Sequence, residues 1–250
     1  MSDTRFSVFD KHVVITGGSK GIGFALAQGF CKAGANVTIT ARNQAQLKEA
    51  HQALLAIDKR ASAQVLDVTD DDAIRTFFKA NPIDVLINNA GVEHVCESLN
   101  MSEAIWDKVV DTNLKGSFFC ARAAAEAMKS QGKGAIINMC SLTSAVGVPG
   151  AVPYGASKSG LLGVTRALSS EWAKYNIRVN AIGPGYFQTE MTDVFYQDAQ
   201  WRESMLEKIP LQRFGQLDDL IGSAIFLASD ASAYMTGQVL YVDGGYLASI

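Results

Sequence analysis

Short apolar runs alternate with helix-patterned stretches along the whole chain, and this alternation constrains the fold more than any other feature. The runs are His12–Thr16, Asn36–Ala41, Ala63–Leu66, Pro82–Ile87, Gly134–Met139, Ile177–Ala181 and Gln238–Val242. Helical patterns cover Phe24–Ala33, Gln44–Lys59, a segment capped by Thr69 or Asp70 and reaching Phe78, then Ser102–Met128, Ala156–Tyr175 and Asp218–Leu227. Strands separated by helices lie parallel, because each helix carries the chain back along the sheet. The expectation is an α/β fold with a doubly wound parallel sheet and helices on both faces. No internal repeat, low-complexity tract or linker breaks the pattern, so residues 1–250 read as one domain.

Composition narrows the function classes. The chain is 48% hydrophobic, enough to fill a large core. Its net charge of −3 leaves no basic footprint for nucleic acid or an anionic membrane. The N-terminus has no apolar signal core, and no apolar run is long enough to span a bilayer. Cys31, Cys96, Cys120 and Cys140 form no CxxC pair, and several fall in apolar stretches, as reduced buried thiols do. His12, His51 and His94 share no ligand-like spacing, so no metal is expected. A cytoplasmic chain is the expectation.

In open parallel sheets, ligands lie beyond the carboxyl ends of the strands. Gly17-Gly18-Ser19-Lys20-Gly21-Ile22-Gly23 follows the first strand and precedes a helix. That arrangement puts a phosphate on a helix N-terminus, with glycines letting the backbone approach it. The spacing is TGxxxGxG rather than the usual GxGxxG. After the second strand, the acid that would bind a ribose 2′-hydroxyl is absent; Ala41 and Arg42 stand there. Arg42, with Lys20 on the other side, suits a 2′-phosphate, so NADP(H) is the expected cofactor. Both are otherwise ordinary surface charges. Asp67, Asn88–Gly91, Ser141 and Pro184-Gly185 also fall at strand ends.

Tyr154 and Lys158 lie four residues apart, on one face of a helix. A cation beside a phenol favours the phenolate and brings its pKa toward the range useful for proton transfer. By itself the spacing equally suits a ring packed on a lysine stem.

Taken together, Thr16-Gly17-x-x-x-Gly21-Ile22-Gly23, Asn88-Asn89-Ala90-Gly91, Asn113, Ser141, Tyr154-x-x-x-Lys158 and Pro184-Gly185 resemble the short-chain dehydrogenase/reductase family in order and approximate spacing. The resemblance covers nearly the whole chain. It implies a Rossmann-type fold, a nicotinamide cofactor, interconversion of a ketone and a secondary alcohol, and often a homotetramer. It implies that Tyr154 moves the proton and Ser141 donates a hydrogen bond to the reacting oxygen. Lys158 then lowers the Tyr154 pKa and bonds the nicotinamide ribose, and Asn113 holds a water that links Lys158 to solvent. Asn113 also fits a simple bridge between backbones. On the cofactor side the resemblance implies contacts from Gly17, Ser19, Lys20, Gly21, Ile22, Gly23 and Arg42, and adenine contacts from Asp67 and Val68. Asn89, Ala90 and Gly91 then wall the adenosine ribose, while Phe187 and Thr189 after Pro184-Gly185 meet the nicotinamide carboxamide.

Substrate choice is expected from Val92–Ser98, Leu142–Val152 and Tyr186–Pro210, the last as a lid. The lid holds Met191, Phe195, Tyr196, Trp201 and Met205, which either cover substrate or pack the lid on the body. Glu93, His94 and Gln188 are candidates for substrate hydroxyls. The stretch Gly185–Met191 and the Leu240–Gly245 end resemble the branch of gluconate 5-dehydrogenase-like, tropinone reductase-like and 3-oxoacyl-carrier-protein reductase-like enzymes. Within it, a small-molecule substrate such as a sugar acid, polyol or cyclic ketone is favoured over a carrier-bound chain. An idle NADPH-binding sensor is the rival from another class; it has no need of Ser141, Tyr154 and Lys158 together.

Overall fold

The computed structural model describes residues 4–189 and 196–250. Its strands are β1 (His12–Thr16), β2 (Asn36–Ala41), β3 (Ser62–Val65), β4 (Val85–Asn88), β5 (Gly134–Met139), β6 (Ile177–Pro184) and β7 (Val239–Val242). They form one sheet in the order β3-β2-β1-β4-β5-β6-β7. Every pairing is parallel, as expected. The described helices are α1 (Gly21–Lys32), α2 (Gln44–Leu55), α3 (Asp71–Ala80), α4 (Glu103–Val110), α5 (Ser117–Gln131), α6 (Val152–Trp172), α7 (Ala199–Lys208) and α8 (Ile221–Ala228).

Side-chain alternation along each strand divides the core into two layers. Val13 and Ile15 of β1 face one side, with Leu26 and Phe30 of α1, Leu54 of α2 and Leu227 of α8. Val14 faces the other, with Phe77 and Phe78 of α3 and Met128 of α5. Burying each of these large side chains stabilises the fold by roughly 1.5–3 kcal/mol. Because both faces are covered, the central strands read as continuous apolar runs.

Strand order reverses direction between β1 and β4. The chain leaves β1 toward β2 on one side, and leaves β4 toward β5 on the other. A crevice therefore opens beyond the carboxyl ends of these two strands.

Several boundaries differ from the sequence reading. Helix α1 starts at Gly21, so the last two glycines of the turn form its first helical turn. Helix α6 starts at Val152, with Pro153 in its first turn, where a missing N–H costs nothing. The expected helix from Ser102 to Met128 is broken. Ser102 does cap α4, but Asp111–Gly116 widens into a π-helical turn before α5. Such turns re-aim side chains at functional sites, and this one carries Asn113. Its Gly116 is required by contact: a Cβ there would lie 2.6 Å from the Val68 carbonyl oxygen. Helix α7, capped by Asp198, arises inside the expected lid. Nearly every side chain of α7 is charged, polar or partly exposed, so its hydrophobic period is faint.

Candidate active site

A cleft of about 810 Å³ occupies the crevice. Gly17, with φ of +64°, lets the turn after β1 fold back; a Cβ there would lie 2.8 Å from Ala90 Cα. The turn is stitched to the end of β4. Asn89 Nδ2 donates to the Thr16 and Gly17 carbonyls, both at 3.0 Å, and the Asn89 and Ala90 amides donate to Thr16 Oγ1 at 3.1 Å. Asn89 thus lines the cleft while its amide group holds the turn in shape.

The cleft brings together most of the expected cofactor residues: Gly17, Ser19, Lys20, Gly21, Ile22, Arg42, Val68, Asn89, Ala90, Gly91, Pro184, Gly185, Phe187 and Thr189. Two lie behind it. Gly23 packs beneath the turn, where a Cβ would sit 2.5 Å from the Gly17 carbonyl oxygen. Asp67 turns its carboxylate back to the Thr69 amide at 2.9 Å and hydroxyl at 2.8 Å, rather than into the cleft. It also stands 3.9 Å from Arg42, which is about half exposed. Exposed pairs of this kind contribute little, so the guanidinium is available to a stronger anion. Sequence reasoning missed Asn43, Gln46, Lys108 and Thr112, which also line the cleft. Asn43 carried one readable signal: it follows Arg42 and caps α2 through the Gln46 amide.

Ser141, Tyr154 and Lys158 meet at the other end of the cleft. Tyr154 lies in the first turn of α6, and Lys158 lies one turn on, with its Nζ 5.5 Å from the phenol ring centre. Lys158 is 4% exposed and donates to the Met139 carbonyl at the end of β5, at 2.7 Å. Ser141, which follows β5, accepts from the Thr143 amide at 3.2 Å, which fixes its rotamer.

The electrostatics differ from the simple expectation that Lys158 lowers the Tyr154 pKa. Burial pushes the Tyr154 phenol above its ordinary value, and the Glu93 carboxylate pushes it further, while a hydrogen bond from Ser141 works against both. Burial holds the Lys158 ammonium below its ordinary value. Desolvation outweighs the neighbouring charge because both groups are enclosed.

Asn113 sits just behind the cleft, fully buried. Its Oδ1 accepts from the Val92 amide at 2.8 Å; its Nδ2 donates to the Val92 carbonyl at 2.9 Å and to Ser157 Oγ at 3.2 Å. The side chain therefore bridges the π turn, the loop after β4 and α6.

The described rings of the expected lid, Tyr186, Tyr196 and Trp201, pack on the body. Tyr196 lies 4.7 Å from Phe214 between ring centres and Trp201 stacks on Phe214 at 6.1 Å, while Tyr186 meets Trp201 and Tyr246 edge-on. Neither Tyr196 nor Trp201 lines the cleft; Glu93, Phe187 and Thr189 do. Glu190, Met191, Asp193 and Phe195 lie outside the described residues. Among the described residues no helix is long and apolar enough to cross a membrane, and no His, Cys, Asp and Glu group could hold a metal.

Comparison with known proteins places this architecture. A family model described as enoyl-(acyl carrier protein) reductase matches residues 17–247. Gluconate 5-dehydrogenase of Gluconobacter oxydans (strain 621H) is 38% identical over 250 residues, covering 98% of both chains. The 3-oxoacyl-[acyl-carrier-protein] reductase of Staphylococcus aureus (strain Mu50) is 39% identical over 94% of this chain and 97% of its own. The crystal structure of a gluconate 5-dehydrogenase from Burkholderia cenocepacia J2315, in complex with NADP and tartrate, superposes with a TM-score of 0.95 at 35% identity, over 98% of each chain. Matches of this extent, on a seven-stranded parallel sheet with the glycine turn and the Tyr/Lys pair at its carboxyl edge, settle the kinship: the chain belongs to the short-chain dehydrogenase/reductase family of oxidoreductases.

Proposed function

We propose that this chain is an NADP(H)-dependent oxidoreductase that interconverts a compact ketone and its secondary alcohol. The observation that carries the reading is the meeting of Ser141, Tyr154 and Lys158 at one end of a cleft whose other end is a glycine turn flanked by Lys20 and Arg42. The cleft fits the cofactor. Gly17 lets the turn close against the Ala90 backbone, and Ser19, Lys20, Gly21 and Ile22 line the cleft at the N-terminus of α1, a position that suits a pyrophosphate. NADP(H), when bound, supplies or accepts the hydride.

The chain's own groups handle the proton and the charge. Tyr154, protonated at neutral pH, gives its hydroxyl proton to the carbonyl oxygen in reduction and takes it back in oxidation. The Ser141 hydroxyl, held by the Thr143 amide, donates to the same oxygen as negative charge develops there. Lys158 stabilises the phenolate that remains and bonds the cofactor ribose. Asn113 acts as a positioning residue, since it fixes the loop at Val92 that faces Lys158. Burial keeps the Tyr154 phenol protonated at neutral pH, the form that donates to the carbonyl oxygen in reduction.

The substrate in this reading is a small hydroxylated carbonyl compound, such as a sugar acid or polyol, in line with the gluconate dehydrogenase relatives. The charges of the lid support it. In the sequence of the expected lid, only Arg202 and Lys208 are set against Glu190, Asp193, Asp198, Glu203 and Glu207, a balance that repels an acidic carrier protein. The test compares kcat/KM with NADPH for 5-ketogluconate, a cyclic ketone and an acetoacetyl-carrier protein. A tenfold preference for the carrier-bound substrate assigns the chain to the carrier-reductase class instead. Turnover of none assigns it to a sensor. A cytoplasmic homotetramer completes the proposal; the partly exposed Trp106 on α4 and Val152 on α6 and the exposed Ile250 support the assembly, and light scattering at micromolar concentration checks it.

A further inference from the structure

One side chain in the reacting end of the cleft has no task in the chemistry above. Glu93 stands two residues after Gly91, on the loop that follows β4, and lines the same cleft as Ser141, Tyr154 and Lys158. Its place is fixed from the backbone, because Asn113 clamps both the amide and the carbonyl of the preceding Val92 at 2.8 and 2.9 Å. It is half-buried. Its loop runs past Lys158, since a Cβ at Gly91 would lie 3.7 Å from Lys158 Nζ, and its charge bears on both the Tyr154 phenol and the Lys158 ammonium. Yet Lys158 gives its hydrogen bond to the Met139 carbonyl. Among the described residues the Glu93 carboxyl takes no hydrogen bond and forms no ion pair.

A half-buried carboxyl without partners costs free energy that a ligand donor would recover. A carboxyl oxygen accepts in either protonation state, so the matching ligand group is a hydroxyl. A carboxylate at the same point meets repulsion instead. The ammonium that bears on Glu93, that of Lys158, is held at the Met139 carbonyl with its pKa lowered by burial, and burial keeps the neighbouring Cys140 thiol protonated.

We propose that Glu93 is a specificity-determining residue that accepts a hydrogen bond from a hydroxyl on the carbon next to the reacting carbon. The substrate is then an α-hydroxy ketone or the corresponding vicinal diol, and 2-oxo acids are rejected. This deepens the oxidoreductase reading and rests on it. A sugar acid whose carboxylate is remote from the reacting carbon still fits; one oxidised beside its carboxylate does not.

The test uses three carbonyl compounds that differ at one adjacent group: hydroxyacetone, 2-butanone and pyruvate. Steady-state kcat/KM with NADPH is measured for the wild type, Glu93→Leu and Glu93→Gln. In the wild type, hydroxyacetone should exceed butanone by at least about tenfold, as expected where a site built for a hydroxyl meets an analogue that lacks one. Glu93→Leu should bring that ratio near unity, chiefly by loss on hydroxyacetone. Glu93→Gln, which keeps an acceptor oxygen, should retain part of the ratio and raise pyruvate turnover. A wild-type ratio below threefold, or a ratio that Glu93→Leu leaves unchanged, overturns the assignment of Glu93 while the reductase reading stands. If no carbonyl compound is reduced, 5-ketogluconate included, the reductase reading itself is refuted and the assignment falls with it. Because both variants are read as ratios on one protein, a general loss of folding cancels.

Discussion

At the glycine-turn end of the cleft, backbone meets backbone. Gly17 lies against Ala90, Gly23 lies under Gly17, and the Asn89 amide ties the turn to β4. At the reacting end, buried polar side chains meet instead. Lys158 is aimed by one carbonyl, Ser141 by one amide, and Glu93 by nothing but the loop that carries it. The first construction tolerates almost no change of shape, whereas the second tolerates change of shape but not of charge or proton. This difference separates recognition of a fixed cofactor from handling of a reacting one.

The sharpest way to test the second construction is Tyr154→Phe. The ring stays on the first turn of α6, over Lys158, so packing is kept and only the proton is lost. Turnover should fall by at least about 10²–10⁴-fold, the range of general acid catalysis. NADPH binding, followed by fluorescence titration, should remain within a few-fold of the wild type. A variant that keeps more than a tenth of wild-type kcat would hand the proton to another group.

At the glycine-turn end, Gly23→Ala should act through shape alone. Its new methyl would press on the Gly17 carbonyl oxygen from 2.5 Å, against backbone that cannot give way. Overpacking of this kind costs about 1–3 kcal/mol. Binding of NADPH should weaken by about tenfold or more, with a lower Tm. Unchanged affinity together with an unchanged Tm would mean that the turn is softer than its contacts show.

Arg42→Ala tests the charged rim of the same end. Hydrogen bonds to charged groups contribute roughly 1.5–3 kcal/mol. The KM for NADPH should therefore rise about tenfold while that for NADH hardly moves. Equal use of both cofactors by the wild type would end the assignment of Lys20 and Arg42 to a 2′-phosphate.

The same contrast explains what was legible in the sequence. The sheet, its parallel sense and its turn could be read because strands buried on both faces and a glycine-rich reversal leave composition signals no other arrangement needs. Tyr154 and Lys158 could be read because a four-residue spacing becomes geometry on any helix. Asn113 was visible, but its partners were not: they depend on a π turn, which leaves no period in Asp111–Gly116. The direction of the Tyr154 shift was also hidden, since enclosure by Ser141, Cys140 and Glu93 is a property of the assembled site. Helix α7 and the ring contacts of Tyr196 and Trp201 with Phe214 were illegible for a similar reason; aromatic residues in a loop have the same composition whether they cover a ligand or pack a helix.

The smallest expected effect separates the two ends without any ligand. Burial holds the Glu93 carboxyl above its ordinary value of 4.5, although Lys158 pulls it the other way. A raised acid pKa means that the native state holds this proton more tightly than the unfolded chain. Its contribution to stability is therefore intact below 4.5 and is lost as pH rises through the native value. Glutamine does not titrate, so Glu93→Gln should gain in Tm relative to the wild type between pH 4 and pH 7. Arg42→Ala, at an exposed pair with Asp67, should show a Tm difference that is small and nearly flat over the same range. The measurement is paired thermal melts of the three proteins across that range. A Glu93→Gln difference that stays flat, or that turns against the variant as pH rises, would place the carboxylate in a favourable, paired environment. The reacting end would then be as fully satisfied as the glycine turn, and the contrast between the two ends would be lost.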